Sequence, residues 1–204
     1  FRLKDWAASL TNFQKVLTSL AEDENAERAE VYYKLGCIKR EQGQAKQAIN
    51  NFEKALGVDP AHKPTLEALV GIYYDLKDWK QVVAYKRAIL DNIVDGALDM
   101  LLEIGDIWND QDKNPGRAIE ALEEAKDLQP ENRPLLHKML AMYEATQNWG
   151  RMIDTIQAIA EMEKDPIRRS KFIFTIAQLY RDKENDQERA VELFNEALDL
   201  NPQY

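Results

Sequence analysis

Apolar positions in this chain recur with a period much longer than one helix. Leu35-Gly36 is echoed by Leu69-Val70, Ile104-Gly105, Met139-Leu140 and Ile176-Ala177, at intervals of 34, 35, 35 and 37 residues. Four residues after each first member stands a second anchor: Lys39, Tyr73, Trp108, Tyr143 and Tyr180. A later set keeps the same register. It begins with Ala48, Val82, Ala118, Met152 and Ala190, and continues four residues on with Phe52, Lys86, Leu122, Ile156 and Phe194. Three residues further come Ala55, Ile89, Ala125, Ile159 and Ala197. Spacings of four and then three put each trio on one helical face. Every unit therefore predicts helix, tight turn, helix, with helices of ~12–14 residues and ~20 Å.

Punctuation residues fall between these segments. Turns are expected at Gln42-Gly43-Gln44, Lys77-Asp78-Trp79, Asn114-Pro115-Gly116, Gln147-Asn148-Trp149 and Asn185-Asp186. Pro60, Pro130 and Pro202 close three units. Pro64, Pro134 and Pro166 stand where the next first helix begins, where a missing N–H does no harm. Asp165 is a natural N-cap before Pro166. Trp108 to Ala118 and Tyr180 to Ala190 are ten residues apart instead of nine, which predicts one extra residue in those two turns. The resulting layout is a single repeat array over 1–204. It has a half unit at 4–17 and full units at 29–62, 63–96, 98–132, 133–165 and 170–204. The chain opens in mid-helix at Phe1-Arg2-Leu3 and ends where another unit would begin, so a native protein continuing at both ends is expected.

A helical pair of about 34 residues carrying Tyr32, Leu35-Gly36, Ala48, Phe52, Ala55 and Pro60 resembles the tetratricopeptide repeat. The unit at 63–96 departs from that pattern at Val70, Lys86 and Val94, and the unit at 133–165 has neither the anchor Gly nor the closing Pro of the pattern. The resemblance implies an all-α, right-handed superhelical solenoid, with the first helix of each pair on a concave side. It also implies a protein–protein interaction scaffold, with no enzymatic activity and no cofactor. The best-known ligand mode of the family captures a C-terminal carboxylate with Lys, Asn and Arg. Here the corresponding first-unit positions hold Tyr33 and Cys37, which argues against that mode.

Helical offsets divide the third unit into two stripes. Leu101, Ile104, Ile107 and Trp108 form a packing stripe, whereas Asp99, Leu102, Glu103, Asp106, Asn109 and Asp110 form a polar stripe assigned to the groove. The same offsets give Tyr33, Lys34, Cys37 and Arg40 in the first unit, and Glu67, Ala68, Tyr74 and Asp75 in the second. They give His137 and Lys138 in the fourth unit, and Phe174, Gln178 and Arg181 in the fifth. The centre of this candidate partner-binding groove is acidic. Residues 63–132 carry 8 basic against 15 acidic side chains, whereas 1–62 carry 9 of each. A wall of one sign attracts a partner of the other, so a basic protein or peptide segment is the expected ligand.

Composition removes other function classes. With 27 basic and 36 acidic residues the net charge is −9, the reverse of what phosphate neutralisation requires, so nucleic acid is not an expected partner. Cys37 is the only cysteine, so no disulfide can form within the chain. No apolar run approaches the ~20 residues that cross a bilayer, so no membrane partner is expected. Asp110-Gln111-Asp112 begins like a calcium loop, but Pro115 and Ala121 occupy the places that need Gly and Glu. His62 and His137 lie in different units, too few for a metal cage or a catalytic relay. The expected location is cytoplasmic. Two other roles fit the same features: a non-catalytic, substrate-recruiting arm of a larger enzyme, or a module that associates end to end with its own copies.

Overall fold

The computed structural model describes residues 6–21, 23–93 and 95–203, and the regular elements among them are all helices. The chain forms two compact units, Phe1–Gly96 and Ala97–Tyr204. The first contains α1 (Trp6–Ser19), α2 (Asn25–Glu41), α3 (Ala45–Val58), α4 (Lys63–Asp75) and α5 (Trp79–Leu90). The second contains α6 (Ala97–Asp106), α7 (Pro115–Leu128), α8 (Arg133–Ala145), α9 (Trp149–Glu161), α10 (Pro166–Leu179) and α11 (Gln187–Leu200). Short π-helical segments, Ile107–Gln111 and Tyr180–Glu184, continue α6 and α10. Val94 and the Asp5 end of the half unit lie outside the described residues.

Small residues let paired helices approach. In the first unit α2 packs on α3, and α4 packs on both α3 and α5. The core there gathers Ala48, Phe52, Ala68, Leu69 and Ile72. A Cβ on Gly36 would stand 2.5 Å from Phe52 Cε1, so the Phe52 ring occupies the space that a side chain at 36 would need. The second unit repeats this architecture. Leu101, Ile104, Ile107 and Trp108 are buried, as their stripe predicts, against Ala118, Ala121, Leu122 and Ala125 of α7. Further on, Ile153, Ile156, Ile173, Ile176, Ala177, Leu193 and Ala197 form one cluster.

All five hairpins close in the same way. The carbonyl of the second anchor accepts a hydrogen bond from the amide of the residue that caps the second helix. The pairs are Gln44 to Lys39 at 2.9 Å, Asp78 to Tyr73 at 2.9 Å, Asn114 to Trp108 at 2.8 Å, Asn148 to Tyr143 at 2.8 Å and Asp186 to Tyr180 at 2.9 Å. The residue before each cap is left-handed: Gly43, Lys77, Lys113, Gln147 and Asn185 have φ of 73°, 57°, 55°, 54° and 57°. Asp78, Asn114, Asn148 and Asp186 also accept from an amide three residues on, which satisfies one of the open donors of the new helix.

Two expectations about the turns are corrected by this geometry. The extra residue in the units at 98–132 and 170–204 is absorbed in the last turn of the first helix, which widens into a π turn. Trp79, Pro115, Gly116 and Trp149 are the opening residues of second helices, because the cap lies just before them. Asp165 caps α10 as expected, its Oδ1 accepting from the Ile167 amide at 2.9 Å.

Two stability predictions follow from this packing. Ala125 has no exposed surface, so Ala125→Glu is expected to cost roughly 3 kcal/mol or more, because a buried charge there has no partner. A thermal melt displaced by only a degree or two would refute the assigned register. Left-handed Lys77, Lys113 and Gln147 each carry a Cβ penalty that glycine lacks. Replacing any one by Gly is expected to raise unfolding free energy by about 0.5–1 kcal/mol, once the greater freedom of the unfolded glycine is subtracted. Urea denaturation of the single variants measures this, with Gly43→Ala expected to move the other way.

Candidate functional site

Within the unit Phe1–Gly96, the predicted groove positions divide into exposed and half-buried sets. Lys34, Arg40, Glu67, Tyr74 and Asp75 are exposed on α2 and α4. Tyr74 meets Trp79 edge-on, with ring centroids 5.2 Å apart. Ala68 belongs to the core cluster, so it does not line a groove. Tyr33 is half-buried, its ring 5.9 Å from Phe52 and 5.6 Å from His62. His62 caps the start of α4 and holds the two pairs together. Its Nε2 lies 3.3 Å from Glu30 Oε2 and its Nδ1 lies 2.7 Å from the Thr65 hydroxyl. Glu30 also takes Lys34 Nζ at 3.1 Å. No local offset hints at the contact of Glu30 with His62, because 32 residues separate them.

Burial sets the chemistry of this cluster. Tyr33 and Cys37 are hydrogen-bonded through their side chains, and burial raises the pKa of both. The bond to Tyr33 and the nearby Arg40 only partly offset the burial of the thiol. Cys37 is thus held away from the reactive thiolate form.

Within the unit Ala97–Tyr204, the acidic stripe is present along α6 and its π turn. Asp99, Glu103 and Asp110 are exposed, and Leu102, Asp106 and Asn109 are half-buried between them. Asn109 Nδ2 donates to Asp110 Oδ1 at 2.7 Å. From α8, Lys138 reaches across to form an ion pair with Asp106, so the stripes of two successive first helices adjoin. His137 beside it is exposed. On α10, Phe174 is half-buried with its ring 5.1 Å from Phe194, and Gln178 is half-buried. Arg181 is exposed and grips Asp182 at 2.6 and 2.9 Å, a pairing that lowers the carboxyl pKa of Asp182.

Sequence reasoning identified Tyr143 only as a packing anchor. Its phenol is buried and donates to the carboxylate of Glu123 on α7, and burial with that bond raises its pKa well above the ordinary range. Among the described residues, no group of three or more His, Cys, Asp or Glu side chains is placed to hold a metal ion. No described helix is long and apolar enough to cross a membrane.

Comparison with known proteins adds two kinds of likeness. Sequence profiles of the tetratricopeptide repeat match residues 1–61 and residues 170–204. Solved structures similar to this chain include YrrB, described as a TPR protein with an unusual peptide-binding site. It has 17% identity over 94% of this chain and 93% of that one, with a TM-score of 0.43. A tetratricopeptide repeat protein from Parabacteroides merdae has 15% identity over 97% of this chain and 87% of its own, with a TM-score of 0.47. PilF of Pseudomonas aeruginosa has 15% identity over 97% and 94%, with a TM-score of 0.40. No curated protein sequence matches.

The burial of Cys37 gives a prediction for its reactivity. At pH 8 iodoacetamide is expected to alkylate Cys37 about tenfold or more slowly than the same thiol in the urea-unfolded chain, since the thiolate is the reacting form. Mass spectrometry of timed samples measures both rates. Equal rates would contradict the burial and protonation assigned here.

Proposed function

The chain is a tetratricopeptide-repeat protein, and on that premise we propose that it is a scaffold for a basic, extended segment of a partner protein. Repeat arrays of this kind serve protein–protein interaction, because stacked pairs leave long surfaces with side chains in fixed register. The observation that carries the finer reading is the arrangement of Asp99, Glu103, Asp106 and Asp110. They stand at i, i+4, i+7 and i+11 along one face of α6 and its π turn. Lys138 meets Asp106 there, so a cation already occupies the kind of position that a ligand's Lys or Arg would take. Leu102, half-buried within the stripe, offers an apolar contact between the carboxylates. In the unit Phe1–Gly96, exposed Tyr74 beside Glu67 and Asp75 provides a second aromatic and acidic surface of the same character. Aromatic anchors supply affinity, and charge supplies selectivity and encounter rate.

The competing explanation is that these carboxylates only keep the surface soluble. Fluorescence anisotropy with labelled basic, neutral and acidic peptides of equal length separates the two. The basic peptides are expected to bind selectively. Combining Asp99→Asn, Glu103→Gln and Asp110→Asn is expected to weaken them by about tenfold or more, which is ~1.4 kcal/mol. The helical circular dichroism signal should not change. Raising salt above 0.1 M, where the screening length is about 10 Å, is expected to weaken the parent in the same way. Binding indifferent to both changes would assign the stripe to solubility.

A further inference from the structure

Gly96 is the only glycine in the sequence that follows an Asp or an Asn. The pair Asp95-Gly96 stands after α5, in a stretch at 91–96 that contains no proline. Asp95 lies in a bend, and both residues are exposed outside any helix. Gly96 has φ of 83°, and nothing lies within 4 Å of the place where its Cβ would stand. No side chain therefore shields the Gly96 amide nitrogen from the carboxyl group that precedes it.

Other carboxyl groups are kept from the next amide. Asp78, Asp165 and Asp186 cap helices, their side chains accepting from amides two or three residues on. Asp59 precedes Pro60, whose nitrogen carries no hydrogen, and its Oδ1 accepts from the Ala61 amide at 3.1 Å. Asp127 and Asp154 lie inside helices, where the backbone angles are fixed and the following amide belongs to the helical ladder. Nearby Asn92 donates through Nδ2 to the Ala88 carbonyl at 2.8 Å and is followed by β-branched Ile93.

We propose that Asp95-Gly96 is a site of spontaneous main-chain isomerisation. The Gly96 nitrogen attacks Cγ of the neutral Asp95 carboxyl group. The N–Cγ bond forms, the Cγ–OH bond breaks, and the hydroxyl leaves with the amide hydrogen as water. The product is a five-membered succinimide. Water then adds to one of its two carbonyl carbons. Addition at Cγ breaks the new bond and restores Asp95. Addition at the main-chain carbonyl breaks its bond to the Gly96 nitrogen and leaves isoaspartate, with the chain running through Cβ and Cγ. One water is lost and one regained, with no oxidation or reduction. The main chain becomes one carbon longer just ahead of α6, the helix that carries Asp99 and Glu103. The freed α-carboxylate is an acceptor for an enzyme that methylates isoaspartyl groups from S-adenosylmethionine.

The test incubates the folded full chain at neutral pH and physiological temperature, then digests it. Mass spectrometry with electron-transfer fragmentation distinguishes isoaspartate from aspartate. Isoaspartate is expected at Asp95 and not at the capping or helical Asp residues. A synthetic peptide of residues 91–98 gives the unrestrained rate. The folded chain is expected to react within about tenfold of it, a barrier difference of at most ~1.4 kcal/mol. Asp95→Glu is expected to abolish the reaction, because its ring would have six members. Asp95→Asn is expected to accelerate it by about tenfold or more, since ammonia leaves a neutral amide directly. Both substitutions are at an exposed position, so the helical circular dichroism signal should not change. Labelled methyl transfer by an isoaspartyl methyltransferase gives a second readout, expected on the incubated parent and absent from incubated Asp95→Glu. A folded chain slower than the peptide by more than about tenfold would overturn the proposal. So would a rate at Asp95 no greater than at Asp127, or methyl acceptance that survives Asp95→Glu.

Discussion

Close approach of helices at small side chains is the interaction on which the other features rest. A helical pair of this length cannot remove its apolar stripe from water alone, so each pair must be packed against another. The distance of approach is set where Ala48, Ala55, Ala118, Ala125, Ala190 and Ala197 lie, all with essentially no exposed surface. Gly36 extends the same logic, because the ring of Phe52 fills the volume above it. The pair at α8 and α9 uses larger residues, with Ile159 fully buried and Met152 half-buried. Met is the side chain best suited to absorb such a change, since three rotatable bonds let it fill an irregular gap.

The hairpin turn transmits that spacing from one helix to the next. Its bond from the cap amide to the anchor carbonyl fixes where the second helix starts, whatever the side chain of the anchor. Lys39 can therefore stand where the other pairs have aromatics. The register of the anchors was readable from sequence because it is an apolar periodicity, and periodicity survives substitution. The two π turns were not readable in kind. One extra residue between Trp108 and Ala118 is equally compatible with a longer loop and a wider last helical turn. The left-handed residues carried a sequence signal at Gly43 and Asn185, since Gly and Asn tolerate that conformation, whereas Lys77, Lys113 and Gln147 carry none.

The candidate surface was legible to the extent that a helical wheel fixes direction. It placed Asp99, Glu103, Asp110, Tyr74 and Glu67 outward, and each is exposed. It failed at Ala68 and overstated the exposure of Tyr33, because a wheel describes one helix and not the tilt of the helix laid across it. Contacts between pairs were invisible for a related reason. Glu30 with His62 and Asp106 with Lys138 join residues about one repeat apart, and no local pattern of charge distinguishes a partner at that distance from a solvated side chain. The 34-residue period itself is the signal that could have found them, since it brings positions 32 apart into neighbouring first helices.

The energetics of the Asp106–Lys138 pair bear on how the proposed scaffold would exchange it. Both side chains remain about a third or more exposed, 46% for Asp106 and 33% for Lys138. A pair in that setting contributes only ~0–1 kcal/mol, so a ligand cation can displace Lys138 from Asp106 with little loss of folding stability. The same weakness limits what charge alone can deliver. Replacing one exposed ion pair by another gains almost nothing in affinity, although it discriminates sharply against an acidic ligand. On the proposed reading, affinity must then come from apolar contact beside the carboxylates, at Leu102 on α6 or at Tyr74 beside Asp75. A segment that is merely basic would be steered to the stripe and leave quickly. One that places an apolar side chain among its Lys and Arg residues would stay.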